Sequence, residues 1–190
     1  MIHVAFLRAI NVGGTSIIRM ADLAKAFESM GFMDVRTYIQ SGNVVFETKE
    51  TDAAKLETKI AKGVAAAFEA KPEIMVRTLN HLQDIVCSNP FPTAKLGDNT
   101  KLSLYVAFLK SVPTKEQTKL LSSFENEHEK FILSGKNIYC LIRKNVPRTR
   151  SGDAGKVGVY TKGTFEKKLG IPMKIRNYLT MVKMLDWYPK

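Results

Sequence analysis

A chain of 190 residues with 45% hydrophobic and 25% charged residues has the make-up of an ordinary folded protein, long enough for one sizeable domain or two small ones. The formal net charge of +11 is unevenly placed: residues 1–95 carry 11 Lys/Arg against 10 Asp/Glu, whereas residues 96–190 carry 18 against 8. Arg8 interrupts the opening apolar run too early for a signal peptide and no later run approaches the ~20 residues that span a bilayer, so no membrane association is expected and the expected address is the cytoplasm.

Ile2 to Leu7 is short and apolar before a Gly-containing loop, the pattern of a buried strand. From Met20 the spacing turns helical, with Leu23, Phe27 and Met30 on one face and Gly31 as a stop. Val35 to Ile39 alternates as a half-buried strand, and Ser41-Gly42-Asn43 supplies a hairpin turn before Val44-Val45-Phe46. Thr51 or Asp52 can cap a helix to about Ala70 that carries Leu56, Ile60, Val64 and Phe68, after which Ile74 to Thr78 returns as a strand. His81 to Val86 predicts a short helix, and Asn89-Pro90-Phe91-Pro92 opens a connection. Then follow a strand over Lys101 to Lys110, a helix over Pro113 to Phe124 and a hairpin through Ser134-Gly135-Lys136. Arg143 to Gly158 predicts an extended loop, and Thr161 to Leu169 and Lys174 to Leu185 predict helices.

Two phrases recur in the same order. Val4-Ala5-Phe6-Leu7-Arg8 returns as Val106-Ala107-Phe108-Leu109-Lys110, and Ile39-Gln40-Ser41-Gly42-Asn43-Val44 returns as Ile132-Leu133-Ser134-Gly135-Lys136-Asn137-Ile138. Aligned on Ser41 and Ser134, the first copy is nine residues longer, and the excess falls in the loop from Asn11 to Ile18. The expected fold is therefore α+β: two tandem ferredoxin-like (split βαβ) units, an internal duplication, with an extra C-terminal helical segment. The expected boundaries are 1–92 for the first βαββαβ unit, 93–100 for a connection, and 101–190 for a strongly basic βαββα unit with its C-terminal helix.

Few residues assemble into a chemistry. Gly13-Gly14 with Thr15 and Ser16, between a strand and a helix, can face an anion with backbone N–H groups, and Arg8 stands nearby, yet neither a Walker A nor a GxGxxG spacing is present. Ser41 lacks the first Gly of a nucleophile elbow. Cys87 and Cys140 lie far apart and are expected as reduced, buried thiols; His3, His81 and His128 match no metal pattern, so no metal or cofactor is expected. Glu125, Glu127 and Glu129 read as a solvated charge run. No catalytic set emerges. The clearest signal is charge: between Lys136 and Lys183 stand 12 basic residues and only Asp153 and Glu166 to oppose them. Arg143, Lys144, Arg148, Arg150, Lys156 and Arg176 form a candidate basic patch for nucleic acid or another phosphate-bearing partner, with Tyr160 and Tyr178 available for stacking. Leu104 to Leu109 superficially resembles the central strand of an RNA-recognition motif, but the partner basic-Gly-aromatic motif is missing. A small anionic metabolite held by the Arg8 to Ser16 loop, in an enzyme or a sensor, is the alternative; a protein-interaction scaffold is the third.

Leu7-Arg8-Ala9-Ile10-Asn11-Val12-Gly13-Gly14, Met20-Ala21-Asp22-Leu23, Gly31-Phe32 and Thr37-Tyr38-Ile39-Gln40-Ser41-Gly42-Asn43-Val44 together resemble the bacterial domain of unknown function 1697. Asn89-Pro90-Phe91 and Arg176-Asn177 extend the resemblance over most of the chain, although an Arg-Asn-Trp-Asn-Thr-like string of that family reads Arg176-Asn177-Tyr178-Leu179-Thr180 here. The resemblance implies a cytosolic α+β protein and brings no reaction, cofactor or partner. By matching position it marks Arg8, Asn11, Gly13, Gly14, Ser41, Gly42 and Asn43 as the ligand-binding candidates.

Overall fold

The computed structural model describes residues 1–8, 10, 17–91, 102–143, 158–160 and 163–188. The chain divides into two compact units, Met1–Ile85 joined by Trp187 and Tyr188, and Val86–Asp186.

In unit 1, β1 (Ile2–Arg8) leads to α1 (Met20–Ser29), the hairpin β2 (Met33–Tyr38) and β3 (Asn43–Glu47), then α2 (Ala53–Phe68), β4 (Glu73–Thr78) and α3 (Leu79–Cys87), whose last two residues fall within unit 2. The antiparallel sheet has the order β2-β3-β1-β4, which is the ferredoxin-like arrangement. α1 buries Leu23, Ala26 and Phe27 at helical spacing. It stops at Gly31, whose φ of +83° a side chain would strain. α2 begins at Asp52, whose carboxylate accepts from the N–H groups of Ala54 and Lys55 at 2.8 and 3.2 Å. Its Leu56, Ile60 and Val64 meet Ala5, Leu7, Val44, Phe46, Ile74 and Val76 on one sheet face, where Phe27, Phe32 and Phe46 pack ring to ring.

Unit 2 repeats the order with β5 (Leu102–Leu109), α4 (Lys115–Ser123), β6 (Glu129–Ser134), β7 (Asn137–Arg143), α5 (Phe165–Leu169), β8 (Met173–Asn177) and α6 (Tyr178–Trp187). Its sheet order, β6-β7-β5-β8, is that of unit 1. A capping box starts α4: Thr114 accepts from the Gln117 N–H while the Gln117 side chain accepts from the Thr114 N–H, so Pro113 precedes the cap. The second core gathers Ala107, Leu109, Ile138, Cys140, Phe165, Leu169 and Met173.

The duplication reaches into the backbone pairing. Leu7 N–H donates to the Gly42 carbonyl at 2.8 Å, and Leu109 N–H donates to the Lys136 carbonyl at 2.9 Å. Phe6 lies opposite Asn43 as Phe108 lies opposite Asn137, and Val4 lies opposite Arg77 as Val106 lies opposite Arg176. Five details depart from the sequence expectation. Register equates Gly42 with Lys136 and Tyr38 with Ser134, so Ser41 and Ser134 are not counterparts. The hairpin turn of unit 1 runs from Ile39 to Gly42, whereas that of unit 2 is Gly135 and Lys136 alone. Lys174 to Leu185 is not one helix: β8 forms first, and Asn177 accepts from the Leu179 N–H to start α6, the counterpart of α3. The expected helix from Thr161 shortens to α5. Cys87 is exposed, because Leu82 and Ile85 define the buried face of α3 and Cys87 falls off it.

Candidate functional site

Of the first candidate set, Arg8, Ser41, Gly42 and Asn43 come together at one end of the first sheet. Arg8 ends β1 beside Glu73 of β4, while Gly42 binds Leu7 through its carbonyl. Gly42 has φ of +75°, and a Cβ there would meet Ile10 Cδ1 at 2.7 Å and Leu7 Cβ at 3.1 Å, so Ile10 is packed onto the turn. Asn43 is fully buried and its Nδ2 donates to the Tyr38 carbonyl at 2.9 Å and to Ser41 Oγ at 3.0 Å. Its counterpart Asn137 is also buried and donates to the Ser134 carbonyl. A residue kept in both copies with the same local bond closes the hairpin, which accounts for Asn43 without a ligand. Asn11, Gly13 and Gly14 lie outside the described residues.

The basic set separates in the same way. Arg143 ends β7, exposed, with its N–H donating to the His128 carbonyl at 2.8 Å. Lys144, Arg148, Arg150 and Lys156 lie outside the described residues. Arg176 does not belong to an exposed patch: it is 7% exposed, donates to the Ile175 carbonyl at 3.2 Å, and burial pulls its guanidinium down to about 10. Arg77 is its counterpart in unit 1, 8% exposed and donating to the Val76 carbonyl at 2.9 Å; burial lowers its pKa and the charge of Glu57 works against that shift.

Neither tyrosine expected to stack on bases stands free. Tyr178 is buried and donates to the Val86 carbonyl at 2.8 Å. Tyr160 packs against Tyr105 at 5.0 Å between ring centroids and against Phe165 at 6.4 Å, and burial raises its phenol. Leu104, Val106 and Phe108, on the sheet face opposite the second core, are at most 1% exposed. A base-stacking sheet of the RNA-recognition type needs that face open.

Glu129 does not belong to a solvated run. It is fully buried on β6, and its Oε2 accepts from the Tyr160 N–H at 3.1 Å. A Cβ on Gly158 would overlap this carboxylate, so Gly158 is the residue type that lets the backbone lie flat against it. Asn126 accepts from the N–H groups of His128 and Glu129 at 2.8 and 3.1 Å and fixes the start of the strand. Glu125 accepts from the Phe131 N–H at 2.9 Å, while Glu127 pairs with His128 Nε2 at 3.0 Å. Burial, with Glu129 nearby, pushes the Cys140 thiol up, so it is a packing group and not a nucleophile. The alternation that places Phe131 inward places Glu129 inward as well, whereas Glu127, of the same parity, lies before β6 begins. The stretch that leaves β7 at Arg143 and returns at Gly158 thus has both ends tied to the neighbouring residues His128 and Glu129.

Residues 1–139 match the model of a family described as protein of unknown function (DUF1697). The chain belongs to that family. The match takes in the whole βαββαβ framework of unit 1 and the beginning of β7 in unit 2. A comparison with curated proteins finds no match. Among solved structures the chain is similar to the conserved bacterial protein SP0830 from Streptococcus pneumoniae, at 20% identity over 97% of each chain and a TM-score of 0.69. At that identity the likeness is one of fold. Among the described residues, no helix is long and apolar enough to cross a membrane.

Proposed function

We propose that this family member binds a phosphate-bearing polyanion, nucleic acid in the first instance, through the basic stretch 144–157 of unit 2. The observation that carries the reading is the seat of that stretch. Lys144, Arg148, Arg150 and Lys156, with Asp153 as the one acidic residue, are spaced along a segment whose two ends are bound to the consecutive residues His128 and Glu129. Tying both ends shortens the reach of the segment, which lowers the entropy lost when a polyanion is bound. The buried sheet face and the packed tyrosines direct the reading to phosphates and away from bases. Binding of that kind tolerates any sequence and falls steeply with salt.

The test is fluorescence anisotropy of a labelled single-stranded oligonucleotide over a salt series. If all four cations engage, log affinity falls against log salt with a slope of about −3, and R148E/R150E weakens binding about tenfold or more at low salt. No association at low salt, or affinity unchanged in R148E/R150E, overturns the reading.

A further inference from the structure

The exposed face of α2 carries Lys55, Thr58, Lys59 and Lys62 around an open groove of about 540 Å³, also bordered by Ala54. Lys55 and Lys59 are four residues apart and Lys59 and Lys62 three apart, the two spacings at which like charges on a helix repel. The acidic residue of α2, Glu57, is turned inward, where it accepts from the Val76 N–H at 3.0 Å. Glu50 and Asp52 are the acidic groups near Lys55; Glu50 Oε1 is taken by the N–H groups of Thr51 and Asp52 at 2.9 Å each, and Asp52 Oδ1 by those of Ala54 and Lys55 at 2.8 and 3.2 Å. Lys59 is held in place, its Nζ standing 4.7 Å above the ring of Phe32, which fixes one ammonium at the middle of the row. Thr58 spends its hydroxyl proton on the Ala54 carbonyl at 2.9 Å, so the donors this face offers an anion are the three ammonium groups.

From these observations we infer that this face of α2 is a second anion-binding site, one that takes a chain of linked phosphates. Lys55 to Lys62 spans about 10 Å of helix axis at 1.5 Å per residue, enough for two or three successive phosphates and too long for one. A phosphate chain laid along the row relieves the repulsion between neighbouring ammonium groups, so binding and helix stability reinforce each other. The counterpart of α2 in unit 2, α5, has five residues where α2 has 16, so the lysine row is an addition of the first copy. It does not depend on the stretch 144–157.

The test uses calorimetry at low salt with two probes, tripolyphosphate and a short oligothymidylate, on three proteins: the unaltered chain, R148E/R150E, and R148E/R150E with K55Q/K59Q/K62Q added. R148E/R150E is expected to retain binding of at least one probe, and the added Lys→Gln changes are expected to weaken it about tenfold or more. Retention of both probes assigns the site to linked phosphates in general, of the oligonucleotide alone to a nucleic-acid strand, and of tripolyphosphate alone to a free polyphosphate. Gln is as good a helix former as Lys, so K55Q/K59Q/K62Q keeps α2 folded and its far-UV circular dichroism is expected to match that of the unaltered chain. Absence of both probes from R148E/R150E, or affinity within about twofold after the Lys→Gln changes, overturns the inference. The unaltered chain against R148E/R150E reads the loop on its own, so the two proposals fail separately.

Discussion

Unit 1 and unit 2 make the passage from the third strand to the second helix in opposite ways. In unit 1 residues 48–52 suffice to reach a helix of 16 residues capped by Asp52; in unit 2 residues 144–164 lead to a helix of five. The same inversion appears at the other end of the sheet, where unit 1 has the longer β1–α1 passage, residues 9–19 against 110–114, and the longer hairpin turn. What stays constant is what the sheet needs: strand order, register, an Asn that closes the hairpin, and a buried Arg on the last strand. A sheet constrains residues that pair or pack, and it leaves loop length and the outer face of a helix to vary. The positive charge has accumulated on those unconstrained parts, on a long connection in one copy and on a long helix in the other.

The most severe way to break the contrast is at the return of the long connection. Gly158→Ala places a methyl group against the Glu129 carboxylate, which is fully buried and cannot withdraw without releasing the Tyr160 N–H. Overpacking together with a stranded donor costs about 3 kcal/mol. Denaturant unfolding is expected to show that loss, and a midpoint within experimental error of the unaltered protein would mean that Glu129 does not hold the connection.

The framework was legible in the sequence because each element carries its own period. Leu56, Ile60 and Val64 announce α2, and the recurrence of Val4 to Arg8 at Val106 to Lys110 announces the duplication. β8 was hidden because Ile175, Tyr178, Val182 and Leu185 also satisfy a helical spacing, and no Gly or Pro separates strand from helix. The break is made by a side chain, Asn177, as Thr78 accepts from the His81 N–H where β4 gives way to α3. Set against each other, Val76-Arg77-Thr78 and Ile175-Arg176-Asn177 carry that signal, an apolar residue, an Arg and a capping residue in a row. The candidate site was less legible. Charge can be counted from a sequence, but the burial of Arg176 and Glu129 depends on strand parity and on partners far along the chain. At Asn43 turn chemistry and ligand chemistry call for the same side chain, so the residue type alone does not separate them.

The two hairpins sharpen the contrast at smaller cost. Gly42 and Gly135 both hold positive φ, +75° and +57°, so Ala at either site meets backbone strain of about 1 kcal/mol. Only Gly42 has neighbours: its new Cβ would press on Ile10 and Leu7, whereas the space around Gly135 is open to 4 Å. Gly42→Ala is expected to cost about 2 kcal/mol and Gly135→Ala about 1 kcal/mol. Equal losses by thermal unfolding would mean that Ile10 does not seat the passage from β1 on the turn.

The gentlest test concerns a position where the copies carry different side chains. His3 and Tyr105 occupy the same place, opposite Phe46 and Cys140 on the neighbouring strand. His3 is 1% exposed and stacks on Phe46 at 5.7 Å; its Nδ1 faces the Met1 carbonyl at 3.2 Å and its Nε2 is buried with no hydrogen-bond partner among the described residues. Burial, aided by the N-terminal ammonium, lowers its pKa below the ordinary 6.5, while the bond to Met1 opposes the shift. The unfolded chain then takes up a proton near pH 6.5 that the folded chain takes up only at lower pH. Between those two values the unfolded state holds more protons, so stability is full above pH 6.5 and falls as the pH drops toward the folded value. His3→Phe keeps a ring on Phe46 and removes the proton, so its stability profile loses this acid-side decline while the profile above pH 7 changes little. A decline of the same size in His3→Phe would assign the acid sensitivity to other groups.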